Sequence, residues 1–283
     1  MSPHYLAILL LVIGNLAASL SDVAVKILDG GVPVYQYVFI RQLLSALVIL
    51  PLWLRQPSEQ RRLRKPILNI FRAHILIIGS GCMVVAVTHL PLATANAIFY
   101  AAPLLMLPLS TLLLKETPPL GKVIATIIGF VGVLVVLRPS EFHWAAVFAL
   151  GTAMTIALFN ITARQLPVEQ SIVTTLFWTS VLSLPLTASV ALVNWTPIDS
   201  HVLLLILGSA SLILLYNGLA VAAYQKAQAG HIAVAENSGL LFVTLFGVMW
   251  FDEVPDWLTA VGILMIVAPL IPWHSLRVRR ATK

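Results

Sequence analysis

Polar side chains recur at helical spacing inside the apolar segments of this sequence. In the first segment, Asn15, Ser19, Asp22 and Lys26 follow one another at intervals of four, three and four residues, which places them on one face of a helix. A polar stripe of this kind is costly to expose to lipid, so it faces other helices or water. Two interpretations follow: interhelical hydrogen bonds with an Asp22–Lys26 pair one turn apart, or one wall of an aqueous cavity.

Arg41 is a cation that lies within an apolar segment. It shares a helical face with Tyr37 and Ser45, roughly 10 Å from the nearer end of its segment by helical rise. An arginine at that depth snorkels or pairs, and Asp22 and Glu236 are the only carboxylates inside the segments rather than at their ends. Arg41 therefore either forms a structural ion pair with one of them or contacts the carboxylate of a substrate. Because arginine keeps its charge, it does not suit proton relay.

Glu236 lies near the start of the apolar stretch 231–251, and a carboxylate in such a stretch needs a partner. Three partners are open: a substrate cation or a proton, Arg41, or a hydrogen-bonding group that meets a protonated side chain. Asn237 follows directly and adds an amide. We therefore expect both residues to belong to a substrate-binding site.

Amide and aromatic side chains of other apolar segments are the remaining candidates for substrate binding: Asn96, Phe99, Tyr100, Trp178, Tyr216 and Asn217. Trp178 lies well inside its segment, so it either packs in the core or forms an aromatic wall of the cavity. Pro103 and Pro108 each remove a backbone hydrogen bond and kink their helix. That kink is either plainly structural or a gating hinge.

Composition assigns the chain to the polytopic membrane proteins. Of its 283 residues, 59% are hydrophobic and 10% are charged, and the mean hydropathy is +0.96. A soluble domain carries about 25% charged residues. The single cysteine, Cys82, excludes an internal disulfide framework and multi-cysteine metal or iron–sulfur sites. We expect no cofactor, and the short loops leave no room for a soluble domain.

Ten apolar segments of roughly 18–24 residues predict an all-α bundle of ten transmembrane helices. They cover about 5–27, 34–54, 72–90, 93–114, 120–137, 143–163, 170–193, 201–224, 231–251 and 256–273. With the N-terminus in the cytoplasm, 14 lysines and arginines fall in cytoplasmic loops and 2 in outer loops. The positive-inside rule therefore predicts that both termini are cytoplasmic.

The two halves of the chain, residues 1–139 and 140–283, match in layout. Shifting the first half by 137 positions places "LLLKETP" on "MWFDEVP", so that Glu116 falls on Glu253. Five helices per half is an odd number, so the second copy inserts in the opposite orientation. Inverted repeats that meet at a midplane site are a recurrent plan of secondary transporters.

Three stretches carry a resemblance to a known family: "FIRQLLSALVIL"; "ATANAIFYAAPLLMLPLSTLLLKETP" with the following "GKVIATIIGFVGVLVVLRP"; and "YNGLAVAAYQKAQAGHIAVAENSGLLFVTLFGVMWFDE". Together they resemble the EamA type of the drug/metabolite transporter superfamily, and among its members the bacterial amino-acid exporters of the YddG type. The family proline before the repeat-ending glutamate is present as Pro103 in the first half, but the second half has Leu240.

The resemblance implies an inner-membrane exporter of amino acids, aromatic ones included, that works by alternating access. Its expected partners are these small molecules and membrane lipids, with no nucleic acid. It also implies that the fifth and tenth helices are peripheral, which agrees with their small residues Gly132 and Gly262. The alternative within the family is an exporter of drugs or other metabolites with a broader pocket. A channel would need a continuous polar path, and an intramembrane enzyme would need a catalytic motif, neither of which is evident.

Overall fold

The computed structural model describes residues 3–115, 117–138, 142–163, 165–167, 170–226, 235 and 237–270, and its regular elements there are all helices. The α-helices are α1 (Pro3–Ile27), α2 (Val34–Leu54), α3 (Ser58–Arg61), α4 (Pro66–His89), α5 (Leu92–Phe99), α6 (Ala102–Leu114), α7 (Leu120–Leu137), α8 (Ala145–Ala163), α9 (Ile172–Val193), α10 (Ser200–Lys226), α11 (Ser238–Phe251) and α12 (Trp257–Val267). A 3-10 helix, Ala268–Leu270, extends α12.

Eight helical segments within the described ranges are long and apolar enough to cross a membrane, which agrees with a polytopic membrane protein. They correspond to the first eight predicted spans. The last two described helices, α11 and α12, are apolar but shorter. Residues 227–234, 236 and 271–283 lie outside the described residues, so the full ninth and tenth spans stay predictions.

The fourth predicted span is divided into two helices. Helix α5 ends at Phe99, and α6 begins at Ala102, with Tyr100 and Ala101 between them. Pro103 occupies the first turn of α6, where it has no N–H to offer the carbonyl of Phe99, four residues earlier. The predicted kink is therefore present at Pro103, and it places Phe99 and Tyr100 at the end of a helix.

Every major contact between long helices joins a helix of the first half to one of the second. Helix α1 packs against α10 and α11, α2 against α9, α4 against α8 and α9, α5 against α11, and α7 against α12. Helix α1 thus packs against two second-half helices. Its polar stripe is consequently enclosed by protein, as the cost of exposing polar groups to lipid requires.

Lys26 and Glu253 join the halves at one end of the bundle, called here the Lys26 end. The Lys26 ammonium pairs with Glu253 and donates to the Leu90 carbonyl oxygen at 2.6 Å. Glu253 also accepts from the Leu92 backbone N–H at 2.8 Å, at the start of α5. The proposed Asp22–Lys26 pair is not present among the described contacts, because Lys26 is taken up by Glu253.

Arg72 is buried, although it is one of the 14 lysines and arginines that the orientation assigns to cytoplasmic loops. It is 2% exposed. Its guanidinium donates to the Thr162 hydroxyl at 2.9 Å and to the Phe159 carbonyl oxygen at 2.5 Å, and it lies 3.9 Å from the Phe159 ring centroid. Arg72 therefore ties α4 to α8 rather than reaching the lipid headgroups.

Small residues allow α7 and α12 to cross closely. A Cβ added at Gly262 would lie 2.5 Å from a Val136 methyl and 2.9 Å from the Gly132 carbonyl oxygen. The Arg138–Asp256 ion pair joins the same two helices at one end. The small residues noted in the fifth and tenth spans, Gly132 and Gly262, therefore meet at this crossing.

Gly262→Ala is therefore expected to destabilise the protein by about 1–3 kcal/mol, because the new methyl forces two backbones apart. Gly208→Ala is the matched control: it also lies inside a helix, but its added Cβ would meet nothing within 4 Å. The control is expected to match or slightly exceed wild-type stability, since alanine favours the helix. Thermal unfolding in detergent compares the two, and equal melting temperatures would contradict the close crossing.

Candidate functional site

A cavity of about 330 Å³ lies between α1, α2, α5, α8 and α10. Eight residues singled out from the sequence line it: Asn15, Asp22, Arg41, Asn96, Phe99, Tyr100, Pro103 and Tyr216. They come from both halves of the chain and from five elements. The fold thus brings most of the candidate substrate-binding residues into one space.

The α1 stripe forms one wall of this cavity and also holds the start of α11. The Asn15 amide donates to the Ala235 carbonyl oxygen at 2.9 Å and to the Ser238 hydroxyl at 3.1 Å. Ser19 donates to the Gly239 carbonyl oxygen at 3.2 Å. The stripe residues thus make interhelical hydrogen bonds and also line the cavity, whereas the Asp22–Lys26 pair of the first interpretation is absent from the described contacts.

Asp22 and Arg41 give the cavity a carboxylate and a guanidinium. The Asn96 amide donates to Asp22 Oδ2 at 3.0 Å and to the Leu92 carbonyl oxygen at 3.2 Å, which fixes its rotamer. Arg41 lines the same cavity as Asp22, but the two described side chains form no ion pair within 4.0 Å. Arg41 Nη1 is buried without a hydrogen-bond partner.

Tyr100 and Gly239 meet where the break in the fourth span faces the start of α11. A Cβ added at Gly239 would lie 2.4 Å from the Tyr100 hydroxyl oxygen, while the next nearest atoms, of Asn15, are 3.5 and 3.6 Å away. A side chain at position 239 would therefore press on the Tyr100 hydroxyl. Glycine at this position lets the Tyr100 ring keep its place in the cavity wall.

Gly239→Ala is consequently expected to reduce transport at least about tenfold by displacing the Tyr100 ring into the cavity. The double variant Gly239→Ala with Tyr100→Phe is expected to regain part of this loss, because the clashing hydroxyl is gone and the remaining contacts are ordinary. Transport rates of the two single variants and the double variant, each normalised to folded protein, measure the coupling. Additive losses would contradict the clash.

The other candidate residues lie elsewhere. Asn217 lines an adjoining cavity rather than this one. Pro108 lies inside α6, and Asn237 directly precedes α11. Glu236, the strongest candidate from the sequence, lies outside the described residues. Its partner therefore stays a prediction.

Trp178 packs into an aromatic cluster at the end of α2. Its indole N–H donates to the Arg61 carbonyl oxygen at 3.1 Å, and its ring meets Trp53 and Phe177 edge-on, with centroids 6.0 and 5.6 Å away. This placement agrees with the packing interpretation of Trp178 and not with a wall of the cavity.

Helix α8 contributes cavity residues that were not singled out from the sequence. Thr152, Ile156 and Asn160 line the cavity at intervals of four residues, so they share one face. The eight-residue spacing of Thr152 and Asn160 was a usable signal. In the described part of the chain, no group of three or more His, Cys, Asp or Glu residues could hold a metal ion.

Comparison with known proteins identifies the family. The model of the EamA-like transporter family matches the chain twice, at residues 5–138 and 143–271. The chain belongs to the EamA-like transporter family. The prediction of a transporter rather than an enzyme is therefore confirmed.

Relatives of this EamA-like transporter are named for different substrates. It is 25% identical to an S-adenosylmethionine uptake transporter of Rickettsia prowazekii, over 88% of this chain and 86% of the relative. It is 26% identical to a riboflavin transporter of Vibrio cholerae, over 88% and 87%. It is 27% identical to a pseudopaline exporter of Pseudomonas aeruginosa, over 92% and 93%. The relatives are thus named for both uptake and export of small molecules.

Proposed function

We propose that this EamA-like transporter exports amino acids, aromatic ones included, and related small metabolites that carry both a carboxylate and an amino group. The observation that carries the proposal is that an acidic side chain, Asp22, and a basic one, Arg41, line the same cavity. A zwitterion places its cationic group near Asp22 and its carboxylate on Arg41. Its size also fits, since a cavity of about 330 Å³ is at the small end of ligand sites.

Alternating access of two inverted five-helix repeats, residues 1–139 and 140–283, is the proposed mechanism. The helix contacts support this mechanism. When each helix is replaced by the helix at the corresponding position of the other half, the observed helix pairs map onto one another. The α1–α10 pair becomes α8–α4, while α2–α9, α5–α11 and α7–α12 each map onto themselves. The substrate cavity lies between the halves, where rocking of one against the other exposes it to each side in turn.

The proposed setting is the inner (plasma) membrane with both termini in the cytoplasm. Lysines and arginines support this orientation, and the burial of Arg72 removes only one of the 14 cytoplasmic cations. In this orientation the Lys26 end faces outward. To test this orientation, the single cysteine, Cys82, is replaced and a new cysteine is introduced near each terminus. These cysteines are expected to be labelled only from the cytoplasmic side, and labelling from the outer side would contradict the proposal.

A broader exporter of drugs or other metabolites is the second candidate, because relatives of this chain are named for substrates as different as S-adenosylmethionine and riboflavin. The riboflavin transporter is named for a ligand larger than an amino acid. The adjoining cavity next to the first would extend the space available to such a ligand. The two candidates differ in whether the amino-acid group itself is required.

Counterflow in proteoliposomes tests the proposal. Liposomes preloaded with a single unlabelled amino acid are expected to take up labelled phenylalanine faster than empty ones, with liposomes lacking protein as the control. Loads of S-adenosylmethionine and riboflavin test the broader candidate in the same assay. No acceleration by any amino acid would overturn the proposal, and acceleration by riboflavin alone would favour the second candidate.

A further inference from the structure

A groove of about 770 Å³ lies between α6 and α7, and Ile161 of α8 and Pro269 also line it. It extends from Pro103, at the break in the fourth span, to Lys115, directly after α6. The helical rise gives this stretch a length of roughly 18 Å. One leaflet of a bilayer has a hydrocarbon depth of about 15 Å, half of the ~30 Å core. The groove is therefore about as long as one acyl chain of a phospholipid in the membrane.

The position of the groove also corresponds to one leaflet. Helix α5 begins at Leu92 at the Lys26 end, where its N–H donates to Glu253. Pro103 lies halfway along the span Leu92–Leu113, so Lys115 lies at the end of the bundle opposite to the Lys26 end. The groove thus runs from the middle of the membrane to one of its surfaces.

The middle of the groove is mainly apolar, lined by Leu104, Met106, Leu107, Ala125 and Ile161. Two hydroxyls, those of Ser110 and Thr126, also line it. The Ser110 hydroxyl donates to the Leu107 carbonyl oxygen at 2.9 Å, so it needs no partner from outside the protein. An empty space beside such side chains loses van der Waals contacts. At this depth in a bilayer, a hydrocarbon chain is the occupant that restores them.

Two lysines stand at the surface end of the groove. Lys115 follows α6, Lys122 lies in the first turn of α7, and both are exposed. Neither forms an ion pair with another described residue, and Glu116, between Lys115 and Thr117, lies outside the described residues. Lysine binds phosphate as a point charge, and basic pockets between transmembrane helices bind anionic lipid headgroups. The charge of the groove mouth is therefore complementary to a phospholipid phosphate.

The second half of the chain does not repeat this charge. The shift of 137 positions that aligns the halves places Lys115 on Asp252 and Lys122 on Thr259. The repeat therefore does not require lysines in this loop, and the basic mouth belongs to the first-half groove.

We propose that this groove binds an anionic phospholipid, with one acyl chain between α6 and α7 and the phosphate on Lys115 and Lys122. The C-terminal segment 271–283 follows Pro269 in the sequence, but it carries four lysines and arginines and no acidic residue, so its charge repels the groove mouth. Pro103 lines both the groove and the candidate substrate cavity. The lipid chain therefore ends at the break that forms part of the cavity wall, whichever substrate is carried.

Removing the two charges tests this proposal. Native mass spectrometry of the full chain in a neutral detergent measures binding of phosphatidylglycerol and of phosphatidylcholine with the same acyl chains. The double variant Lys115→Gln with Lys122→Gln is expected to weaken phosphatidylglycerol binding at least about tenfold and to leave phosphatidylcholine binding unchanged. The matched control is Arg55→Gln with Arg62→Gln, which removes two exposed cations that follow α2 at the same end of the bundle, outside the groove lining.

The control is expected to change phosphatidylglycerol binding less than about twofold, because a local site does not depend on distant exposed charges. Equal losses in the two double variants would mean diffuse attraction to a basic surface and would overturn the site. Equal binding of both lipids by wild-type protein, or no binding of phosphatidylglycerol, would also overturn it.

A second pair of variants tests the apolar part of the groove and covers poor folding of the lysine variant. Ala125→Trp fills the groove from α7, and Ile124→Trp is its control, 51% exposed on the same helix. Ala125→Trp is expected to weaken phosphatidylglycerol binding several-fold, and Ile124→Trp is expected to leave it unchanged. Glycerol phosphate, which has the anion without the chains, is expected not to compete. Competition by glycerol phosphate, or equal effects of the two tryptophans, would overturn the lipid site.

Discussion

Arg41→Gln is expected to raise the KM for amino-acid substrates by about 10- to 100-fold. Arg41 lines the candidate cavity and also the adjoining one. A hydrogen bond to a charged group contributes about 1.5–3 kcal/mol, which corresponds to that change in affinity. Arg41→Lys is expected to recover part of the loss, since it keeps the charge but not the two-donor fork that matches a carboxylate.

The measurement compares phenylalanine with phenylalanine amide, which lacks the carboxylate. For wild-type protein the amide is expected to bind more weakly than the acid, and for Arg41→Gln the two are expected to bind alike. Arg62→Gln is the control, because the Arg62 side chain is 72% exposed. If Arg41→Gln weakened the acid and the amide equally, Arg41 would be a structural residue and not the carboxylate contact.

Helical spacing predicted the centre of the candidate site well, and physical reasons explain this. The stripe from Asn15 to Lys26 had to avoid lipid, and the fold encloses it between α10 and α11. Pro103 had to interrupt its helix, and the interruption brings Phe99 and Tyr100 to the cavity. In both cases one physical constraint determined the local structure: the cost of exposing polar groups to lipid, or the missing N–H of proline. The sequence alone was therefore sufficient to predict that structure.

Partners across the bundle could not be predicted in the same way. Trp178 and Arg72 are amphipathic side chains whose spacing is compatible with a cavity, an interface or a packed core. Trp178 contacts Arg61 and Trp53, and Arg72 contacts Phe159 and Thr162. These partners depend on how helices that are distant in sequence pack together. Hydrophobic periodicity defines a face but not the helix that it meets.

The second large effect is expected for protein stability, at the ion pair between Lys26 and Glu253. Breaking this pair is expected to lower the free energy of unfolding by about 2–4 kcal/mol, because each single replacement leaves a mostly buried charge without its counter-ion. The Lys26 and Glu253 side chains are 10% and 18% exposed. The exposed Arg62–Glu59 pair is the matched control, and its removal is expected to cost less than about 1 kcal/mol.

A double-mutant cycle of Lys26→Met and Glu253→Gln measures the coupling through thermal or denaturant unfolding in detergent. The double variant is expected to be more stable than the sum of the single losses predicts, because it leaves no lone charge. Additive losses would mean that the two side chains act independently, through the Leu90 carbonyl and the Leu92 N–H.

The same contact bears on access to the cavity. On α1, Lys26 lies one turn beyond Asp22, and its partner Glu253 binds the start of α5, so the contact joins the two halves at the Lys26 end, one helical turn beyond the cavity residue Asp22. Removing it is expected to increase, several-fold, the labelling of a cysteine placed at Ser19 by a reagent confined to that side, with Cys82 replaced by serine. An unchanged labelling rate would mean that the contact stabilises the fold without closing this end, and alternating access would then need another barrier there.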